Sequence, residues 1–542
     1  MSQGAHFRSR SDTEVVLQGY RLLGAELWPK LRGMFALALW DSQRQLLWLA
    51  RDAMGIKPLY YRYDGERLVF ASELRALIAA EVTERRIDAR ALLGYLTWGS
   101  VPEPGTFLAG VQLLPPGHAL RLRLGAPTPG ARARVLPPEL ERFAADDLAL
   151  ASIAPKPPGS SAAARLSEAL RETVAAHEQG DVPLGLLLSG GVDSSALGVL
   201  LRRVRAGKPL MAFTLASEFE GPSGEAQQAA ETARLLGFSH QVCRVSSGEA
   251  LAAAPRFLAA LDQPSLDGFN TFLICERVRA AGYKLVLSGL GGDELFCGYK
   301  LHRSFATLWA LRSLALRLTA ADGREAAFSR SLYRRLRGLW PHLFLQTLLR
   351  PELRDRVSAS ARENDLDSDL SPGSSASGLR EAFSEGLLRV QRLERQNYLV
   401  HTLLRDADVM SMAHGVELRV PFCDRALWSV VRSLGDAALA PQKRLLVDAV
   451  AHPRLWELSR LQKRGFVLPL SDWLRGPLGA ALAARFRDAA LVRAAGLHPP
   501  ALARLLAVYE HSLLPLRRRL TYRIWALYVL LTYVEQHGLR VE

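Results

Sequence analysis

The chain has 542 residues, of which 49% are hydrophobic, enough for two or three cored domains and too apolar for general disorder. Its 69 Lys and Arg against 54 Asp and Glu give a formal charge of +15, but Arg is scattered along the chain with no long basic tail or RNA-binding signature. The excess therefore argues for small anionic substrates rather than nucleic acid. The cysteines, Cys243, Cys275, Cys297 and Cys423, lack metal-ligand spacing, and no signal peptide follows Met1-Ser2-Gln3-Gly4, so a reduced, cytoplasmic setting is expected.

In chain order, the first pattern is antiparallel. Met34–Asp41 and Gln45–Ala50 flank a polar turn as a hairpin, and Leu59–Tyr63 and Leu68–Phe70 flank Asp64-Gly65, a dipeptide suited to positive φ. Residues 1–120 thus read as a partial antiparallel domain. The stretch 121–159, rich in Ala, Pro and Arg from Gly125 to Gly159, reads as a linker, and a helix is expected from near Ser160, opening a third segment over 160–542.

The run Leu184-Gly185-Leu186-Leu187-Leu188 ends in Ser189-Gly190-Gly191-Val192-Asp193-Ser194 and leads into a helical stretch. Strand, glycine loop and helix N-terminus make a candidate pyrophosphate cradle, with hydroxyls from Ser189 and Ser194. It is not a P-loop, since no Gly-Lys-Ser/Thr ending is present. A plain glycine-rich βα turn is the alternative. Further on, Leu210–Leu215 reads as a buried strand followed by a helix over 225–236. Lys284–Leu287 is another short strand running into Ser288-Gly289-Leu290-Gly291-Gly292-Asp293-Glu294. Two such strands would bring Asp193 and Asp293 to one edge of a parallel sheet, where paired carboxylates can hold Mg²⁺ against nucleotide phosphates. Each aspartate can also serve as a helix cap. A break rich in Asp, Ser and Gly over 362–378 reads as a surface loop. The apolar run Ile524–Leu531 is too short to span a bilayer and reads as a packed helix.

Three motifs carry a family likeness: SGGVDSS at Ser189–Ser195, SGLGGDELFCGY at Ser288–Tyr299, and LLRDADVMSMAHGVELRVPFCD at Leu403–Asp424. Together, in this order, they resemble the glutamine-dependent asparagine synthetases, and the likeness runs from about Phe7 to the C-terminal helices. The resemblance implies an α/β architecture: a partial antiparallel glutaminase domain, then a doubly wound parallel-sheet ATP-pyrophosphatase domain with C-terminal helices. It implies ATP and Mg²⁺ as cofactors, adenylation of a carboxylate, release of AMP and pyrophosphate, and attack by ammonia. By the same resemblance, Leu188 and Thr214 would border adenine, while Ser288 and Gly289 would join Ser189, Gly190, Gly191, Asp193 and Ser194 around the phosphates. Glu417 would line the acyl pocket, with an ion pair to Arg405 or Arg419 as the alternative. Lys463 is the preferred cation beside the α-phosphate; Lys443, in a more regular helical setting, reads as a surface residue. Asp406 and Asp408 are taken as helix-terminal or salt-bridged.

Several positions depart from the family pattern. Asp12 resembles the aspartate that binds the glutamine α-amino group, but the second residue is Ser2 where the family has its cysteine, and no Asn-Gly-Glu segment lies upstream of Phe7. Ammonia is therefore the expected nitrogen source, with glutamine used only by a longer N-terminus. Leu290 stands where relatives carry an acid between two glycines, and Gln263 replaces a glutamate. Asparagine formation from aspartate is the leading reading. Amidation of another small carboxylate, in polysaccharide or peptide modification, and an inactive binding or regulatory homologue are the alternatives. A homodimer is compatible with all three.

Overall fold

A computed structural model describes residues 6–125, 136–144, 161–218, 224–319, 325–340, 345, 347–353, 379–461 and 469–541. The N-terminal part builds two antiparallel sheets. Strand β1 (Ala36–Asp41) pairs with β2 (Leu46–Arg51), turning at Gln45, whose φ is 50°. Strand β3 (Tyr60–Tyr63) pairs with β4 (Leu68–Ala71), and Gly65 at the turn has φ 96°, a conformation that costs glycine little. Short β5 (Gln112–Leu113) completes that sheet in the order β4-β3-β5.

The linker expected over 121–159 is corrected in part. Strand β6 (His118–Arg123) pairs with β2, and β7 (Glu139–Arg142) pairs with β6, so the sheet runs β1-β2-β6-β7 and takes in residues on both sides of position 121. Arg121 sits opposite Glu139 and ion-pairs with it and with Glu141, a cross-strand charge match that composition alone does not reveal. The break over 362–378 lies outside the described residues.

Beyond it, β8 (Leu184–Leu187), β9 (Met211–Ser217), β10 (Ser239–Val245), β11 (Leu285–Leu287) and β12 (Glu417–Arg419) form one parallel sheet in the order β10-β9-β8-β11-β12. Its central strands are buried, as near-continuous Leu and Val runs require when helices cover a sheet. Intervening helices include Ala162–Glu178, capped by the Ser161 hydroxyl on Ala164 N, Val192–Val204 after β8, and Glu225–Leu236 after β9. The chain steps outward from β8 through β9 to β10, then returns to place β11 on the other side of β8. This reversal creates a crevice beyond the carboxyl ends of β8 and β11.

The C-terminal helix Leu514–His537 is packed rather than exposed: Ile524, Ala526, Leu527 and Leu530 are buried. Tyr95 donates a hydrogen bond to Ala526 O at 2.7 Å, and Tyr533 donates one to Asp262 O at 2.8 Å. One apolar core therefore joins Ile87–Leu113 to the C-terminal helices, across the boundary drawn at 120. Among the described residues no helix is long and apolar enough to cross a membrane.

Candidate active site

The first loop is shaped by backbone constraints. Gly190 has φ 73°, and a Cβ there would lie 2.5 Å from Glu225 O, so only glycine fits between the loop and the helix that starts at Glu225. Gly191 precedes the helix Val192–Val204 and offers no side-chain cap, which leaves first-turn amides facing the crevice. Ser194 folds the loop on itself: its hydroxyl accepts from Ser189 N at 3.1 Å and lies 3.0 Å from Ser189 Oγ.

The second loop is pressed against the first. A Cβ on Gly289 would stand 2.9 Å from Ser194 N, and one on Gly292 would stand 2.6 Å from Asp193 Cγ. Ser288 is tied down by its own N–H to Arg419 O at 2.9 Å and accepts from Leu290 N at 3.3 Å. Leu290 is half-buried against the core under the sheet. These glycines bring Asp193 and Asp293 together, as the two strand-loop units predict.

Between the two carboxylates lies Lys443. Its Nζ is 2.6 Å from Asp293 Oδ1 and ion-pairs with Asp193 Oδ2, and the side chain is 9% exposed. The surface role expected for it is corrected. Gln442 and Lys443 adopt left-handed φ of 56° and 55°, so the helix begins only at Arg444 and the lysine is thrown inward. Such a conformation costs about 1–2 kcal/mol per non-glycine residue, which the ion pairs must offset. The preferred cation, Lys463, lies outside the described residues.

Two carboxylates converging on one cation position suit Mg²⁺, which takes one or two protein carboxylates and completes its shell with phosphate oxygens and water. Among the described residues no group of three or more His, Cys, Asp or Glu is arranged to hold a metal alone. The donor set thus fits an ion that arrives with phosphates.

The other predicted residues separate into those at the crevice and those away from it. Leu188 donates to Phe213 O at 2.9 Å and its carbonyl accepts from Thr214 Oγ1, whose other neighbour is His240 Nε2 at 2.8 Å. The Thr214 hydroxyl is therefore committed within the sheet. Glu417 opens β12 opposite Leu285 and is ion-paired with Arg419 at 2.7 Å, one of the two partners expected for it. Asp12 begins the helix Asp12–Leu23, exposed, and accepts from Thr13 N at 2.7 Å. Gln263 is buried, accepts from Phe107 N at 2.8 Å and donates to Tyr60 Oη at 3.3 Å.

Sequence reasoning passed over Glu294. It is 1% exposed, accepts from Tyr299 Oη at 2.7 Å, and burial pushes its carboxyl up to about 7. Around it, Arg337 pairs with the buried Glu394 at 3.0 Å and lies over the Tyr398 ring, whose hydroxyl donates to Asp267 at 3.3 Å. Burial also pushes Asp406, hydrogen-bonded by Ser265, up to about 7. Adjacent to an aspartate in an Asp-Glu pair, Glu294 has no periodicity signal separating it from a surface acid.

The N-terminal part abuts this sheet through charged pairs. Lys57 meets Asp408 at 2.6 Å, and Arg32 meets Asp424 at 2.9 Å. A cavity of about 300 Å³ opens at the junction, lined by Leu31, Arg32, Met34 and Met54 on one side and by Cys423 and Asp424 on the other.

Comparison with known proteins is consistent with this geometry. Residues 165–535 match the asparagine synthase family profile and residues 1–129 match a glutamine amidotransferase domain. The chain is 32% identical over 493 residues to a Mycobacterium tuberculosis protein provisionally named a glutamine-hydrolysing asparagine synthetase, covering 87% of this chain and 72% of that one. It is 29% identical over 503 residues to glutamine-hydrolysing asparagine synthetase 1 of Bacillus subtilis, covering 88% and 74%. It is 28% identical over 524 residues to the amidase chyE of Penicillium rubens, covering 87% and 75%.

Proposed function

The chain belongs to the asparagine synthase family of ligases, and on that premise we propose that it converts aspartate to asparagine. ATP activates the side-chain carboxylate as a β-aspartyl-adenylate with loss of pyrophosphate, and ammonia then attacks the acyl carbon and releases AMP. The observation that carries this reading is the convergence of the Ser189 and Ser288 loops, with Asp193 and Asp293, at the sheet's switch point.

In this reading the first-turn amides after Gly191 and the hydroxyls of Ser189 and Ser194 bind the phosphates. Asp193 and Asp293 would hold Mg²⁺, which when bound neutralises phosphate charge. Lys463 is assigned to the charge that grows as pyrophosphate departs, so Lys463→Ala should slow ATP–pyrophosphate exchange about 100-fold. Leu290 cannot take a proton, so the attacking amine loses its proton to Glu417, to the adenylate phosphate or to water. Ammonia is the proposed nitrogen nucleophile at this site. The cavity between Met34 and Cys423 would offer ammonia a sheltered approach.

Leu290 favours one second reading, amidation of a different carboxylate. Incubation with ATP, Mg²⁺, ammonia and a panel of aspartate, glutamate and uronic acids, reading AMP and pyrophosphate, decides between them. Aspartate-dependent pyrophosphate release supports the proposal; release with another acid alone transfers it to the second reading. Leu290→Glu should speed ammonia-dependent amide formation if aspartate is the acceptor.

A further inference from the structure

Lys443 is more tightly built into the site than a lysine needed only for surface charge. Its ammonium faces two carboxylates at once, its stem is enclosed, and its backbone is held in the left-handed region together with Gln442. Clearance for it is provided by Gly298: a Cβ there would overlap both Asp293 Oδ1 and Lys443 Cε. Two carboxylates this close repel unless a cation lies between them. We propose that Lys443 is an intramolecular counter-cation for Asp193 and Asp293, and that this chain consequently takes up a divalent cation at these carboxylates only together with the phosphates of a nucleotide. The inference rests on the assignment of Asp193 and Asp293 as the metal-binding pair.

The argument is one of charge. A divalent ion seated on Asp193 and Asp293 cannot share their oxygens with an ammonium, since the two cations would lie within a few ångströms of one another. Free metal offers the displaced ammonium nothing in return. A triphosphate does, because its oxygens can accept the lysine's three donors, and the flexible four-carbon stem allows the head to move while the backbone stays fixed. Metal and nucleotide binding become mutually dependent through one side chain.

The test is a Mn²⁺ titration of the full chain by electron paramagnetic resonance, without substrate turnover. Without nucleotide, Lys443→Met and Lys443→Gln are expected to bind Mn²⁺ at least tenfold more tightly than the wild type, and adding Asp293→Asn should abolish that gain. With a non-hydrolysable ATP analogue the wild type should acquire the site. Wild-type binding of free Mn²⁺ as tight as in the variants overturns the inference, as does a gain that survives Asp293→Asn. Should the Lys443 variants fail to fold, the wild type still decides: an Asp293-dependent Mn²⁺ site of equal affinity with and without the analogue overturns the proposal. Absence of any Asp293-dependent Mn²⁺ site even with the analogue would overturn the metal assignment itself, a result distinct from early binding of free metal.

Discussion

The proposed phosphate cradle and the junction between the N-terminal part and the parallel sheet are both made of small, specific contacts, but they are specified differently. In the cradle, Ser189–Ser194 is one contiguous stretch, and its shape follows from Gly190, whose Cβ would strike the backbone of Glu225. At the junction, Arg32 reaches Asp424 and Lys57 reaches Asp408, partners separated by 392 and 351 positions in the chain. A local motif encodes its own geometry, whereas a long-range pair acquires its meaning only after the fold has placed it. Damage to the cradle should therefore abolish chemistry while sparing the fold, and damage to the buried charges around the junction should do the reverse.

The largest effect is expected for Asp193→Asn. It removes one of the two converging charges while keeping size and the helix start, and ATP–pyrophosphate exchange should fall by about 100-fold or more, with a smaller loss of melting temperature than a stranded buried charge causes, because Lys443 keeps Asp293. Comparable loss of melting temperature would place Asp193 among structural residues. Arg51→Met is the converse. Arg51 is 1% exposed and paired with Glu103 at 2.7 Å, so the substitution strands a buried carboxylate and should cost about 3–5 kcal/mol. The midpoint of thermal unfolding would report it, and exchange in the surviving folded protein should stay within a few-fold of wild type.

A smaller and pH-dependent effect concerns Asp406. Burial holds its folded carboxyl at about 7, above the ordinary value near 3.8. Between those values the folded chain keeps a proton that the unfolded chain has released, so stability is fully present below about pH 4 and is lost as pH rises through 7. Facing groups include Arg405, Ser265 and Asp267, and the buried Glu294 and Asp262 add slopes of the same sign. Asp406→Asn should flatten the fall in melting temperature between pH 5 and pH 8. An unaltered slope would assign it to other buried carboxyls, Asp52, Glu394 and Asp408 among them.

What the sequence made legible divides along the same line. Strands β8, β9 and β11, the helix Glu225–Leu236 and the glycine loops follow from periodicity and punctuation within a dozen residues. Strand β7 was hidden because Glu139–Arg142 is polar and exposed, and it forms only by pairing with β6. Lys443 was hidden because helical composition around it gave no hint of the two left-handed residues that turn it inward. Glu417 was legible by half: its motif leaves open a pocket role or an ion pair, and the pair with Arg419 joins the first and last residues of a three-residue strand.

The smallest predicted effect separates two duties of one carboxylate at the junction. Asp424 Oδ1 accepts from Ala426 N at 2.9 Å and Leu427 N at 3.1 Å, capping the helix Arg425–Ser433, while both of its oxygens also receive Arg32. Losing a cap of this kind costs about 1 kcal/mol. Arg32 is 40% exposed, so the ion pair works against solvent screening and contributes between about 0 and 1 kcal/mol. Arg32→Met should consequently lower stability by less than Asp424→Ala, and 0.5 M salt should erase much of the Arg32 effect while leaving the capping loss in place. Equal losses in the two variants, insensitive to salt, would mean that the long-range pair and the local cap act as one unit, and the contrast between the two kinds of contact would fail at the one residue that belongs to both.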